Sequence, residues 1–162
     1  MKVASINEND IADCDDGICV SLWVSGCPHH CPNCHNSELW DYNYGEDIPK
    51  ETVVEKIIEA LTKNGIERNF SVLGGEPLCP ANIENVLFVV SKVREAFPDI
   101  KIYVWTGYVL EHLQEKYEYR DLVDQILKLI DVLIDGPYVD ELRDIRLKLR
   151  GSSNQRIIRV VR

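Results

Sequence analysis

Val20-Ser21-Leu22-Trp23-Val24-Ser25-Gly26-Cys27-Pro28-His29-His30-Cys31-Pro32-Asn33-Cys34 is an apolar run that stops at Ser-Gly and opens into three thiols spaced C-x3-C-x2-C. From Cys19 to Val24 the residues are β-formers without helical spacing, which predicts a buried strand ending at Ser25-Gly26. The cysteine loop then lies beyond the C-terminal end of a strand, where ligands bind in open and barrel-like parallel sheets. Thiols three and four positions apart on a tight loop can wrap one metal ion or hold a cluster corner by corner. We read Cys27, Cys31 and Cys34 as metal ligands of an iron-sulfur cluster. Four thiolates would close such a site. With three, one iron of a four-iron cluster has no protein ligand and is open to a further molecule.

After Trp40 the sequence Asp41-Tyr42-Asn43-Tyr44-Gly45 marks a loop, with Asp47 and Pro49 as cap and first-turn proline of a helix. Val54, Ile57, Ile58 and Leu61 follow at i, i+3, i+4, i+7, one helical face, which Asn64-Gly65 ends. Phe70 to Leu73 is a second strand running into Gly74-Gly75-Glu76-Pro77. Ile83, Val86, Leu87, Val90 and Val93 mark another helix, closed by Pro98. Ile100 to Trp105 is a third strand ending at Thr106-Gly107-Tyr108. Val123, Ile126, Leu127 and Ile130 give a further helix, Val132 to Ile134 a fourth strand ending at Asp135-Gly136-Pro137-Tyr138, and Arg156 to Val161 a last strand. Upstream, residues 1–18 are polar and acidic, with a short strand near Val3 to Ile6 and a turn at Asp15-Asp16-Gly17.

Alternating strands and helices imply right-handed βαβ crossovers and a parallel sheet covered by helices. A closed eight-fold barrel needs about 250 residues, so this α/β chain predicts a partial, open parallel β/α barrel of about five to six strands. Ser25-Gly26, Gly74-Gly75, Thr106-Gly107 and Asp135-Gly136 all fall at predicted strand ends. One end of the sheet therefore gathers the loops where backbone can approach a ligand closely.

The 162 residues, 45% of them hydrophobic, predict a single domain spanning 1–162 with a real core. Met1 to Asp10 lacks the basic start and apolar region of a signal peptide, and no apolar run reaches membrane-spanning length, so a cytoplasmic protein without a membrane partner is expected. Three of the six cysteines crowd into eight residues, which favours metal over a disulfide framework. A net charge of -9 argues against nucleic acid as a partner. Positive charge concentrates in the segment 140–162, at Arg143, Arg146, Lys148, Arg150, Arg156, Arg159 and Arg162, as a solvated face or a docking surface.

The cysteine loop and Gly74-Gly75-Glu76-Pro77, in this α/β order, resemble the radical S-adenosylmethionine superfamily. The resemblance implies a [4Fe-4S] cluster on the three thiolates, with S-adenosylmethionine chelated to the open iron and Gly74, Gly75 and Glu76 binding its methionine end. Trp23-Val24-Ser25-Gly26-Cys27, Trp105-Thr106-Gly107-Tyr108, Ile134-Asp135-Gly136-Pro137-Tyr138 and Arg150-Gly151-Ser152-Ser153-Asn154-Gln155-Arg156 more narrowly resemble the activating proteins of anaerobic ribonucleoside-triphosphate reductase. That family is an oxidoreductase group of glycyl-radical-enzyme activases. The resemblance implies reductive cleavage of S-adenosylmethionine to a 5'-deoxyadenosyl radical, which generates a glycyl radical on the large subunit of an anaerobic (class III) reductase. A one-electron donor such as flavodoxin or ferredoxin is implied too.

Two departures matter. The family's Gly-Pro-Gly-x-Arg corresponds here to Asp15-Asp16-Gly17-Ile18-Cys19, so that arginine's role does not transfer. Where the superfamily often has an aromatic before the third cysteine, this chain has Asn33, and adenine contact is expected from Asn33 and His35 instead. Arg150 and Arg156 are the candidates for docking the reductase. Cys14, Cys19 and Cys79 show no ligand spacing and read as structural thiols. Tyr42, Tyr44, Trp105 and Tyr108 read as packing residues, while Asp135 suits either a cofactor contact or a turn. Two other functions fit the cysteine loop: a radical enzyme acting on a small molecule, of the deazapurine-precursor type, and a non-catalytic zinc module completed by His29 and His30.

Overall fold

The computed structural model describes residues 1–115 and 117–161, so Arg162 of the basic tail lies outside the described residues. Strands β1 (Lys2–Asp10), β2 (Cys19–Val24), β3 (Glu46–Asp47), β4 (Asn69–Gly74), β5 (Ile102–Trp105), β6 (Val132–Asp135) and β7 (Arg156–Arg159) form a seven-stranded sheet in the order β3-β1-β2-β4-β5-β6-β7. Between them run helices α1 (Lys50–Thr62), α2 (Ile83–Ala96), α3 (Leu110–Glu115) and α4 (Arg120–Leu127).

The four central strands β2, β4, β5 and β6 are parallel and in register, with Val24 opposite Gly74, Val72 opposite Val104 and Val104 opposite Leu133. β1, β3 and β7 are antiparallel to their neighbours, so the sheet is mixed rather than wholly parallel, and longer than the five or six strands expected. The cause lies in the connections. A parallel neighbour needs a crossover helix, whereas β1 reaches β2, and β6 reaches β7, through segments without an α-helix. β1 also runs further than Val3 to Ile6, because its outer half is polar and half-exposed and gives no apolar signal.

All four helices bury residues in one core cluster. Val53, Ile57 and Leu61 of α1, Val86 and Val90 of α2, Leu113 of α3 and Ile126 of α4 pack there against Leu22, Phe70, Val72 and Val104. Ile58 and Leu87, expected on the inner faces, are only partly buried. Alternate strand positions point the other way. Cys19, Tyr103, Val132 and Ile134 form a smaller cluster with Cys14, flanked by Trp105, Leu149 and Ile157. Among the described residues no helix contributes to that second cluster, which involves Cys14 of the 11–18 loop and Leu149 and Ile157 of the tail. Among the described residues no helix is long and apolar enough to cross a membrane.

Local signals behave mostly as their chemistry dictates. Asn64 and Gly65 end the first helical segment with φ of 59° and 66°. Asp47 is not the cap of α1: it lies in β3 and accepts the N-terminal ammonium at 3.3 Å, while Pro49 holds the cap position. The six-residue α3 is too short to show a period and was not expected.

The 11–18 loop carries a titrating pair. Asp10 accepts hydrogen bonds from Ser21 Oγ at 2.7 Å and from the Ala12 and Asp13 N–H groups at 2.8 and 3.1 Å. Burial opposes its charge, but these bonds and one from the Asp13 side chain hold Asp10 below its ordinary value. Burial and the adjacent Asp10 carboxylate push Asp13 up to about 7. The folded state therefore keeps a proton on Asp13 that the unfolded chain releases above pH ~4, so this group's stabilisation is full at low pH and is lost as pH rises from about 4 through 7. Asp13→Asn, which keeps a donor toward Asp10 without the charge, is expected to raise stability at pH 8 by ~1 kcal/mol, seen as a Tm increase of about 2–4 °C. The gain disappears at pH 4; a gain independent of pH would contradict the assignment.

Candidate functional site

Because β2, β4, β5 and β6 are in register, their C-terminal ends open side by side into one cleft. Cys27, Cys31 and Cys34 come to it from the β2 loop, Gly74, Gly75 and Glu76 from β4, Thr106 and Gly107 from β5, and Gly136 and Tyr138 from β6. The glycine-bearing strand ends thus meet as their spacing predicted.

The cysteine loop is bent by Gly26 (φ 91°), His30 (φ 49°) and Asn33 (φ 57°), and the Cys34 N–H closes on the Cys31 carbonyl at 3.1 Å. Backbone bonds join it to the next loop: Gly75 N–H donates to Val24 O at 2.7 Å and Glu76 N–H to Gly26 O at 2.8 Å. The contact is so close that a Cβ on Gly75 would sit 2.5 Å from Gly26 O. Gly75 is glycine because backbone meets backbone there.

Glu76 is fully buried. Its Oε1 accepts from Leu78 N–H at 2.9 Å and Thr106 Oγ at 2.8 Å, and its Oε2 accepts from Gly107 N–H at 2.7 Å and shares a hydrogen bond with His29 Nε2 at 2.9 Å. One side chain therefore ties the cysteine loop to the ends of β4 and β5.

All three loop thiols are free, with Cys27 buried and Cys31 and Cys34 half-buried. Burial pushes Cys27 up to about 11, against hydrogen bonds from the backbone N–H groups of His29 and His30 that favour its thiolate. Burial likewise raises Cys31. Among the described residues no three His, Cys, Asp or Glu side chains close on a point where a single metal ion could sit. A cluster asks something different of the loop, since each thiolate takes its own iron. Three thiols on one cleft, beside turns whose glycines leave backbone bare, fit a cluster with one open corner.

The profile of a 4Fe-4S single cluster domain matches residues 15–158. An anaerobic ribonucleoside-triphosphate reductase-activating protein of Salmonella typhimurium is 41% identical over 136 residues, covering 83% of this chain and 84% of that protein. The protein of the same name from Escherichia coli K12 is 40% identical over the same shares. The chain belongs to the family of anaerobic ribonucleoside-triphosphate reductase-activating proteins. A member encoded by Enterobacteria phage T4 is 36% identical over 156 residues, 94% of this chain and 93% of its own length.

In this chain the structure gathers Cys27, Cys31, Cys34, Gly74, Gly75 and Glu76. It does not bring Asn33 and His35 into the same cleft. Asn33 is exposed and its amide donates to Asp140 Oδ2 at 2.7 Å, while His35 lines a neighbouring groove with Arg143 and Arg150. Arg156 is exposed on β7 and paired with Glu111 at 2.7 Å and with the buried Asp135. Asp135 itself accepts from Leu110 N–H at 2.8 Å, so it anchors α3.

The Gly151-Ser152-Ser153-Asn154-Gln155 run is a clamp on the β6 loop. Gln155 Oε1 accepts from Gly151 and Ser152 N–H while its Nε2 donates to Gly136 O at 3.0 Å, and Asn154 donates to Pro137 O at 2.8 Å. Thr106 was not singled out as functional and His29 only as a zinc ligand, because their contacts with Glu76 span 30 and 47 positions of sequence.

Proposed function

We propose that this chain is the activase its family name describes, working by radical S-adenosylmethionine chemistry: Cys27, Cys31 and Cys34 hold a [4Fe-4S] cluster and the cleft beside them takes S-adenosylmethionine. The observation that carries the reading is the meeting of three free thiols with the Gly74-Gly75 turn at aligned strand ends. When bound, the reduced cluster supplies the electron that cleaves S-adenosylmethionine to methionine and a 5'-deoxyadenosyl radical, whose target is a glycine hydrogen of the reductase large subunit.

The chain's own residues place and shield. The three thiolates would leave one iron without a protein ligand, and Gly74 and Gly75, which line the cleft, would take the methionine end. The saturated Glu76 carboxylate shapes the cleft wall through its protein partners. Helices cover one sheet face, and the loop-lined face offers the side from which a glycine-bearing segment of a partner enters. In this reading residues 1–162 form one radical S-adenosylmethionine domain, an open β/α barrel edged by antiparallel strands. Of the two docking arginines, Arg150 lines the groove beside the cleft and Arg156 is exposed on β7 beside Glu111. A flavodoxin or ferredoxin serves as electron donor, and the reaction belongs to the cytoplasm.

The test is anaerobic electron paramagnetic resonance of the reconstituted chain mixed with reductase large subunit, S-adenosylmethionine and a reductant. A glycyl doublet is expected, with methionine released in proportion. Methionine release from S-adenosylmethionine coupled to conversion of a small metabolite, with no doublet on the reductase, would replace this reading with the small-molecule one.

A further inference from the structure

We propose that Asn82 is a positioning residue of the cleft: its side-chain amide ties the Gly74-Gly75-Glu76 turn to the cysteine loop, and so sets how tightly S-adenosylmethionine is held. The inference rests on the reading of that cleft as an S-adenosylmethionine site beside a cluster on Cys27, Cys31 and Cys34. Asn82 itself is only 3% exposed and does not line the cleft.

Asn82 stands at the N-cap of α2, where an asparagine ordinarily accepts a backbone N–H of the first helical turn. Here its side chain makes no such bond. Its Nδ2 donates instead to Ser25 O at 2.9 Å and to Glu76 O at 3.0 Å. Both neighbours are carbonyl oxygens, which only accept, so the nitrogen end of the amide must face them and each of its two hydrogens is spent. A local cap is given up for two contacts outside the helix.

Those carbonyls belong to the two loops that make the site. Consecutive carbonyls at the end of β2 are held from the glycine turn and the residues after it: Val24 O by Gly75 N–H at 2.7 Å, Ser25 O by Asn82, and Gly26 O by Glu76 N–H at 2.8 Å. The pairing of β4 with β2 places the chain as far as Gly74, opposite Val24. Beyond that register, the Glu76 residue is held by its N–H on one side and by Asn82 on its carbonyl. Asn82 is itself anchored, with its N–H on Cys79 O and its carbonyl taking Val86 N–H, both at 2.9 Å, at the start of a helix whose Ile83, Val86 and Val90 lie in the core. Losing the amide frees the outgoing limb of the turn, while the Gly75 and Glu76 N–H bonds still close the strand ends before Cys27.

The experiment compares the wild type with Asn82→Asp and Asn82→Gln. Asp caps a helix as well as Asn does, but a carboxylate only accepts, and even protonated it carries one hydrogen where the amide has two. Gln keeps the amide on a longer arm. Amide hydrogen exchange of the metal-free chain reads the turn itself. Iron per chain, and the dissociation constant for S-adenosylmethionine by equilibrium dialysis with the reconstituted chain, read the consequence. In Asn82→Asp the Glu76 amide is expected to exchange several-fold faster with the α2 amides unchanged, and the dissociation constant to rise several-fold at equal iron. Asn82→Gln recovers most of both. If Asn82→Asp matches the wild type, the residue is a helix cap and the inference is overturned. Iron and affinity lost together would make Asn82 merely structural, which overturns it equally. Should Asn82→Asp not fold, Asn82→Ser, another good cap with a single hydroxyl hydrogen, carries the same expectations. A wild type that loads the cluster without binding S-adenosylmethionine would fail at the reading of the cleft, whereas the exchange pattern stands or falls without any cofactor.

Discussion

Cys31→Ala, like Cys27→Ala and Cys34→Ala, is expected to lose the cluster and to bring S-adenosylmethionine cleavage down to background. Two thiolates cannot hold a four-iron cluster on a loop whose other neighbours are His29, committed to Glu76, and His30, whose ring lies against Trp40 with 4.7 Å between centroids. Binding energy at a metal site is also folding energy for the loop that carries it, so the variants should show a more protease-sensitive 26–36 segment as well as colourless protein. Cys14→Ala is the matched control. Cys14 packs against Cys19 at the opposite end of β2, roughly 17 Å from Val24 at 3.3 Å per residue, and its loss leaves a small cavity with no effect on iron content. Iron and sulfide analysis after anaerobic reconstitution reads both. Cluster retained in Cys31→Ala, or lost in Cys14→Ala, would move the ligand set elsewhere.

Why the site was so legible in the sequence follows from the kind of signal each part leaves. Thiol spacing and Gly-rich strand ends are local, and a parallel register then aligns those ends without further instruction. Apolar faces at i, i+3, i+4 gave α1 and α2 because the buried stripes of those helices, Val54, Ile57 and Leu61, and Ile83, Val86 and Val90, are continuous. What stayed hidden depends on contacts made over distance. The long β1 looks like polar coil because only Val3 and Asp10 of its nine residues are buried. Nor does spacing show that the Asn33 amide finds Asp140 over 107 positions. Arg156 looked like a free docking charge until β7 paired antiparallel with β6 and brought it to Asp135.

Gly75→Val is expected to damage the cluster as well as S-adenosylmethionine binding. On sequence alone the substitution touches only the ligand turn, since glycine there bares backbone toward a cofactor. The structure gives the missing Cβ a different neighbour: it would meet Gly26 O at 2.5 Å, Gly26 C at 2.9 Å and Leu39 O at 3.0 Å, all backbone. No flexible side chain can give way. Gly26 N–H is bonded to Leu39 O at 2.8 Å and Gly75 N–H to Val24 O at 2.7 Å, so relief requires the ends of β2 and β4 to part just before Cys27. Overpacking of this kind costs about 1–3 kcal/mol, and each backbone bond lost adds ~1 kcal/mol. A total near 3 kcal/mol corresponds to a Tm lowered by about 6–12 °C. Lower iron retention per chain is expected in parallel, because the strained residue abuts the loop that holds the thiols. Equal Tm and full iron, with only S-adenosylmethionine affinity lost, would mean that Gly75 is glycine for the ligand alone, and that the two loops can part without cost.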